Sequence, residues 1–116
     1  MLTMIEKDIL EWVAQRHGGS DMRQQIEHVD VASREFTGVG LYTSLTFSDR
    51  ASLAPIRPLE IPFSGPVIES PALEIGASAL VWCDDAGYLK TIEIAAFGDH
   101  YPETEFRYTL KEFDHT

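Results

Sequence analysis

"TGVGLYTSLTF", residues Thr37 to Phe47, carries the clearest sign of what this chain folds into. Apolar side chains alternate along it: Val39, Leu41, Leu45 and Phe47 point one way, and Tyr42, Ser44 and Thr46 the other. A period of two is the period of a β-strand, and one wet face marks an antiparallel sheet. The pattern returns in "EFRYTLKEF", where Phe106, Tyr108 and Leu110 oppose Glu105, Arg107, Thr109 and Lys111. Between the two, "ALVWC" and "YLKTIEIAAF" flank "DDAG", in which Gly87 can take a positive φ, so a hairpin is predicted. "TIEIAAF" and "EFRYTL" read as neighbouring strands. "IEHVDVASREF" is strand-like but slips, because Ile26 and Phe36 are out of phase with Val29 and Val31, and this predicts a bulge or break.

The dry face of such a sheet needs a cover, and the N-terminus supplies one. Thr3 and Glu6 have capping-box spacing, and Ile5, Ile9 and Val13, with Trp12 beside them, form one apolar stripe. His17 and Gly18 suit the end of a helix. Five of the six prolines fall between Pro55 and Pro71, which predicts a stiff crossing loop or an edge strand there. The expected architecture is α+β, with the amphipathic helix packed on a twisted antiparallel sheet of about five strands. In outline it is a single domain over 1–116: a helix over 1–18, strands within 24–48 and 78–113, and the proline-rich segment over 49–71.

Charge narrows the partners. The net charge is −10, and it is uneven: six basic and eight acidic side chains run to Pro58, then three and eleven follow. Phosphate backbones and anionic membrane surfaces call for cations, so neither a nucleic acid nor a membrane is the expected partner. An acidic half can instead steer a basic protein. The N-terminus has no signal-peptide pattern, and Cys83 is a single cysteine, so the expected location is cytoplasmic.

No motif of assembled chemistry stands out. "GVG" lacks the third glycine of a dinucleotide fingerprint, and "GASAL" lacks the second glycine of a nucleophile elbow. Cys83 alternates with Val81 in an apolar strand, where it reads as a small hydrophobe and not as a thiolate. His17, His28, His100 and His115 show no i, i+4 pair, so neither a metal nor another cofactor is expected. The polar cluster in "GDHYPE" remains. Asp99, His100, Tyr101 and Glu103 could converge only in a loop, which Gly98 and Pro102 predict. Asp84 and Asp85 are a further pair, placed in the predicted hairpin turn, where short aspartates bond their own backbone. These six are the candidate ligand- or partner-binding residues, and none is assigned a catalytic role.

Thr37-Gly38-Val39-Gly40, Leu73-Glu74-Ile75-Gly76-Ala77, Asp85-Ala86-Gly87, Ile92-Glu93 and Tyr101-Pro102-Glu103 follow one another in a recognisable order. Over roughly residues 36–110 the chain resembles a group of small, uncharacterised bacterial α+β proteins with this succession of motifs. The resemblance implies an antiparallel sheet with "YPE" as a structural corner, and it transfers no activity. The leading expectation is therefore a non-enzymatic interaction or accessory protein. It would bind a basic protein partner, in the manner of an immunity protein masking a toxin, or self-associate as a homodimer. The alternative is a small-molecule or metal-dependent enzyme built on the Asp99-His100-Tyr101-Glu103 loop.

Overall fold

A computed structural model describes residues 1–98 and 100–112. Helix α1 (Met4–Val13) opens on the capping box: the Glu6 N–H donates to the Thr3 hydroxyl at 3.3 Å, and the Thr3 N–H donates to the Glu6 carboxylate at 2.8 Å. The helix does not stop at Gly18. A wider π-type stretch (Ala14–Gly18) leads into a second helix, α2 (Gly19–His28), across a break where Gly19 takes φ +59°. The expected strand from residue 24 is thus corrected, since residues 24–28 are helical. Met22, Gln25 and Ile26 are buried at i, i+3 and i+4, and the glutamine in that stripe hides its helical period from an apolar count.

Among the described residues six strands follow, all antiparallel, in the order β1-β2-β5-β4-β3-β6. They are β1 (Val29–Phe36), β2 (Gly40–Phe47), β3 (Phe63–Glu69), β4 (Ala77–Cys83), β5 (Leu89–Ala96) and β6 (Thr109–Lys111). The expected slip in β1 is present as a register shift between Val31 and Ser33. Ala32 is the extra residue there, and it turns Arg34 and Phe36 onto the face shared by Val29 and Val31. The β4–β5 hairpin forms around Gly87, whose φ is +97°.

Two further expectations about the sheet change. Residues 63–69 of the proline-rich segment are neither loop nor outermost edge, because β3 pairs with both β4 and β6. Pro66 falls in the register shift between Ser64 and Val67, where no ladder donor is required. The segment "EFRYTL" does not neighbour β5. Both edges of β5 are taken by β2 and β4, so the chain end crosses over and pairs Thr109–Lys111 with β3. Its alternating burial survives from Phe106 to Leu110, although only three of its residues join the ladder.

The two helices cover one face of the sheet. Ile9, Leu10, Val13, Met22 and Ile26 pack against Leu41, Ile92, Ile94, Ala79 and Val81. Each of these side chains except Ala79 contributes about 1.5–3 kcal/mol through removal from water. Gln25 stitches the proline-rich arm to this core: its amide donates to the carbonyls of Ala54 (2.9 Å) and Gly87 (3.1 Å) and accepts from the Leu89 N–H (3.0 Å). Among the described residues, no helix is long and apolar enough to cross a membrane.

Candidate functional site

The most unusual group in the molecule is a carboxylate inside the core. Glu6 is 0% exposed. As the third residue of α1 its carboxylate folds back to the capping Thr3 and meets side chains from β1 and β2. There Arg34 and Thr43 are direct register partners on the covered face, a position Arg34 holds only because the bulge at Ala32 has shifted its phase. The guanidinium grips Glu6 with two bonds, Nε to Oε2 at 2.8 Å and Nη2 to Oε1 at 2.7 Å. Thr43 donates its hydroxyl to Oε2 at 2.6 Å. With the Thr3 N–H, these donors fill the acceptor sites of both oxygens. Burial alone would push the Glu6 carboxyl up, but Arg34, Thr43 and Thr3 together hold it below its ordinary value.

A cleft of about 160 Å³ opens beside this ion pair. Phe36 and Leu41 form its sheet side, Met4 and Ile5 its helix side, and the chain from Tyr101 to Tyr108 its outer wall. That wall is fastened at several points. The Tyr101 N–H donates to the Gly38 carbonyl at 2.9 Å, which docks the "YPE" corner on the "TGVG" turn. Tyr101, Phe106 and Tyr108 form a chain of edge-to-face rings with centroids 5.6 and 6.3 Å apart. The Tyr108 hydroxyl donates to Asp8 at 2.6 Å, tying the wall to α1. Burial, then the negative charge of Glu6, pushes the Tyr101 phenol up to about 12, so it stays neutral at physiological pH. At the mouth, Glu103 and Glu105 are exposed.

The structure divides the five described candidates from the sequence among separate places. Tyr101 and Glu103 line the cleft, while His100 is exposed and does not. Asp99 lies outside the described residues, as does His115. Asp84 and Asp85 sit at the opposite end of β5, in the hairpin turn. There the Asp84 carboxylate accepts the N–H groups of Ala86 and Tyr88 at 3.0 Å each, and Arg50 at 2.9 Å. Burial would raise its carboxyl, but the Tyr88 N–H and Arg50 hold it low. Cys83 is buried, and desolvation followed by the charge of Asp84 pushes its thiol up to about 12. Among the described residues, no three His, Cys, Asp or Glu side chains gather as metal ligands.

Sequence reading missed Glu6, Arg34 and Thr43 as a unit, and Phe106 and Tyr108 as cleft residues. The phase slip in "VDVASREF" was the available signal, since it implies that Arg34 turns inward and an inward arginine needs a buried anion. No family model, no curated protein and no solved structure matches the chain.

Proposed function

We propose that this protein is a non-catalytic binding protein for a basic protein partner. The partner seats an apolar side chain in the cleft beside the "YPE" corner and sets its cations against Glu103 and Glu105. One observation carries this reading: the cleft is mostly apolar and bordered by the exposed Glu103 and Glu105, while Arg34, the guanidinium that lines it, is already cancelled by its pair with Glu6. An apolar pocket with a charged rim is how protein interfaces divide affinity from steering. The chain's net charge of −10 adds long-range attraction for a cationic partner. Masking the basic face of a toxin or nuclease is one specific form of the same chemistry.

Acid–base catalysis draws less support. Tyr101 is held neutral and Glu6 is fully hydrogen-bonded, so neither is poised to exchange a proton near neutral pH. Self-association through β1 is disfavoured as well, because the bulge at Ala32 and the charges of Asp30, Arg34 and Glu35 blunt that edge.

Titration of a labelled leucine–lysine peptide, followed by fluorescence anisotropy, tests the proposal. The basic peptide should bind, its leucine–glutamate counterpart should not, and the affinity should fall as salt screens the rim. Phe106→Ala and the Glu103→Lys/Glu105→Lys double variant should each weaken it. Binding that ignores salt and both changes would refute the proposal.

A further inference from the structure

The uncovered face of the sheet carries a second concave surface. Across β2, β5 and β4 one row on this face is Tyr42, Glu93, Leu80, and the next is Ser44, Thr91, Trp82. Tyr42 and Trp82 therefore stand two strands apart, with Glu93 and Thr91 of the middle strand between them. All four line one shallow groove, which Ile61 of the proline-rich arm borders. Tyr42 is 43% exposed and Ile61 47%, so the groove keeps its aromatic and aliphatic surface open to solvent.

Its floor is anionic. The Trp82 indole N–H donates to Glu93 Oε1 at 3.1 Å and fixes the carboxylate in place. Among the described residues no cation pairs with Glu93: Lys90 lines the same groove but makes no ion pair with it. Asp84 is already bridged to Arg50 at 2.9 Å. Glu93 and Asp85 thus outweigh Lys90, and an anion would be repelled.

We propose that this groove is a binding site for a guanidinium group, inserted between the Tyr42 and Trp82 rings with its N–H edge on Glu93. A planar, weakly hydrated cation suits two aromatic walls, and its paired donors suit a fixed carboxylate, whereas a compact ammonium matches neither as well. The chain uses this chemistry internally already, with Arg16 over the Trp12 ring at 3.8 Å and Arg50 over the Tyr88 ring at 4.1 Å. The groove faces away from the helix-covered side of the sheet, so the proposal stands apart from the cleft.

Two-dimensional ¹H–¹⁵N spectra of the whole chain, titrated with N-acetyl-arginine amide, provide the test. The Trp82 indole signal should move and saturate, together with the Glu93 amide, while the Trp12 indole stays still. Loss of one charge-assisted hydrogen-bonding partner in Glu93→Gln should weaken binding about tenfold. Tyr42→Ala, an exposed site that leaves the core intact, should weaken it as well. An arginine-bearing peptide that binds more tightly than the free amide would identify a protein-borne group, and equal binding would identify a small guanidinium compound. The proposal is overturned if Trp82 shows no saturable shift, if the uncharged citrulline analogue binds equally well, or if folded Glu93→Gln binds undiminished.

Discussion

Replacing Arg34 with methionine puts the buried ion pair to a direct test. The change keeps the aliphatic stem and removes the two bonds, at 2.7 and 2.8 Å, that neutralise Glu6. Removing one partner of a buried pair costs about 3–5 kcal/mol, since the remaining charge is left uncompensated. The Arg34 side chain keeps 29% of its surface exposed, so water can partly replace it, and the lower end of about 3 kcal/mol is expected. For a chain of 116 residues this lowers the melting temperature by about 12 °C. Glu6→Gln retains the Oε1 acceptor shared by Thr3 and Arg34 Nη2 but removes the charge and the Oε2 acceptor of Arg34 Nε and Thr43, so about 1–2 kcal/mol is expected. The double variant should cost less than the two single changes together. The sign with pH follows from the same geometry. In the natural chain the Glu6 carboxyl lies below its ordinary 4.5, so its stabilisation is present above that pH and is lost as pH falls through the folded value. In Arg34→Met, burial acts without the guanidinium and raises the carboxyl, so the deficit should shrink as Glu6 becomes protonated. Circular-dichroism melts from pH 7 to pH 4 read both effects. A melting temperature within about 2 °C of the natural chain, or a deficit constant with pH, would refute the reasoning.

Three further outcomes follow from particular contacts. Gln25→Leu strands the Ala54 carbonyl and the Leu89 N–H and leaves the Gly87 carbonyl only its bond from the Ile56 N–H, so stability should fall by about 2–3 kcal/mol in urea melts and the Leu89 amide should exchange faster. Gly40→Ala places a methyl group against the Ile94 carbonyl, well inside van der Waals contact, and should separate β2 from β5; native-like amide dispersion would count against this packing. Cys83, with its thiol pushed up to about 12, should resist a thiol reagent at pH 8 until the chain is unfolded by denaturant, and rapid native-state labelling would contradict its burial.

Much of the sheet was legible because its signals are local. The alternation in 40–47, the turn at Gly87 and the phase slip in β1 all arise from neighbouring residues and appear where their patterns lie, whereas Val39, expected on the dry face, precedes β2 and is 49% exposed. Helix α2 was not legible, since one of its inward positions is Gln25, a polar residue satisfied by distant carbonyls. Strand β3 was obscured by Pro66, which the sheet tolerates only through a register shift. The pairing of β6 depended on which strand edges remained free, a property of the assembled sheet. The site divides in the same way. Tyr101 and Glu103 could be singled out as loop residues beside proline, yet the cleft they line needs Glu6, Arg34 and Phe106, brought together from the two ends and the first strand. A buried carboxylate written in a helix cap looks like a cap alone until its arginine is found.

The most direct test of the cleft as a binding surface is the map of backbone amide shifts produced by the leucine–lysine peptide. Perturbations should concentrate at Phe36, Leu41 and the segment from Tyr101 to Tyr108 and fade as salt is raised. Shifts confined to other surfaces, or none at these residues, would contradict binding there.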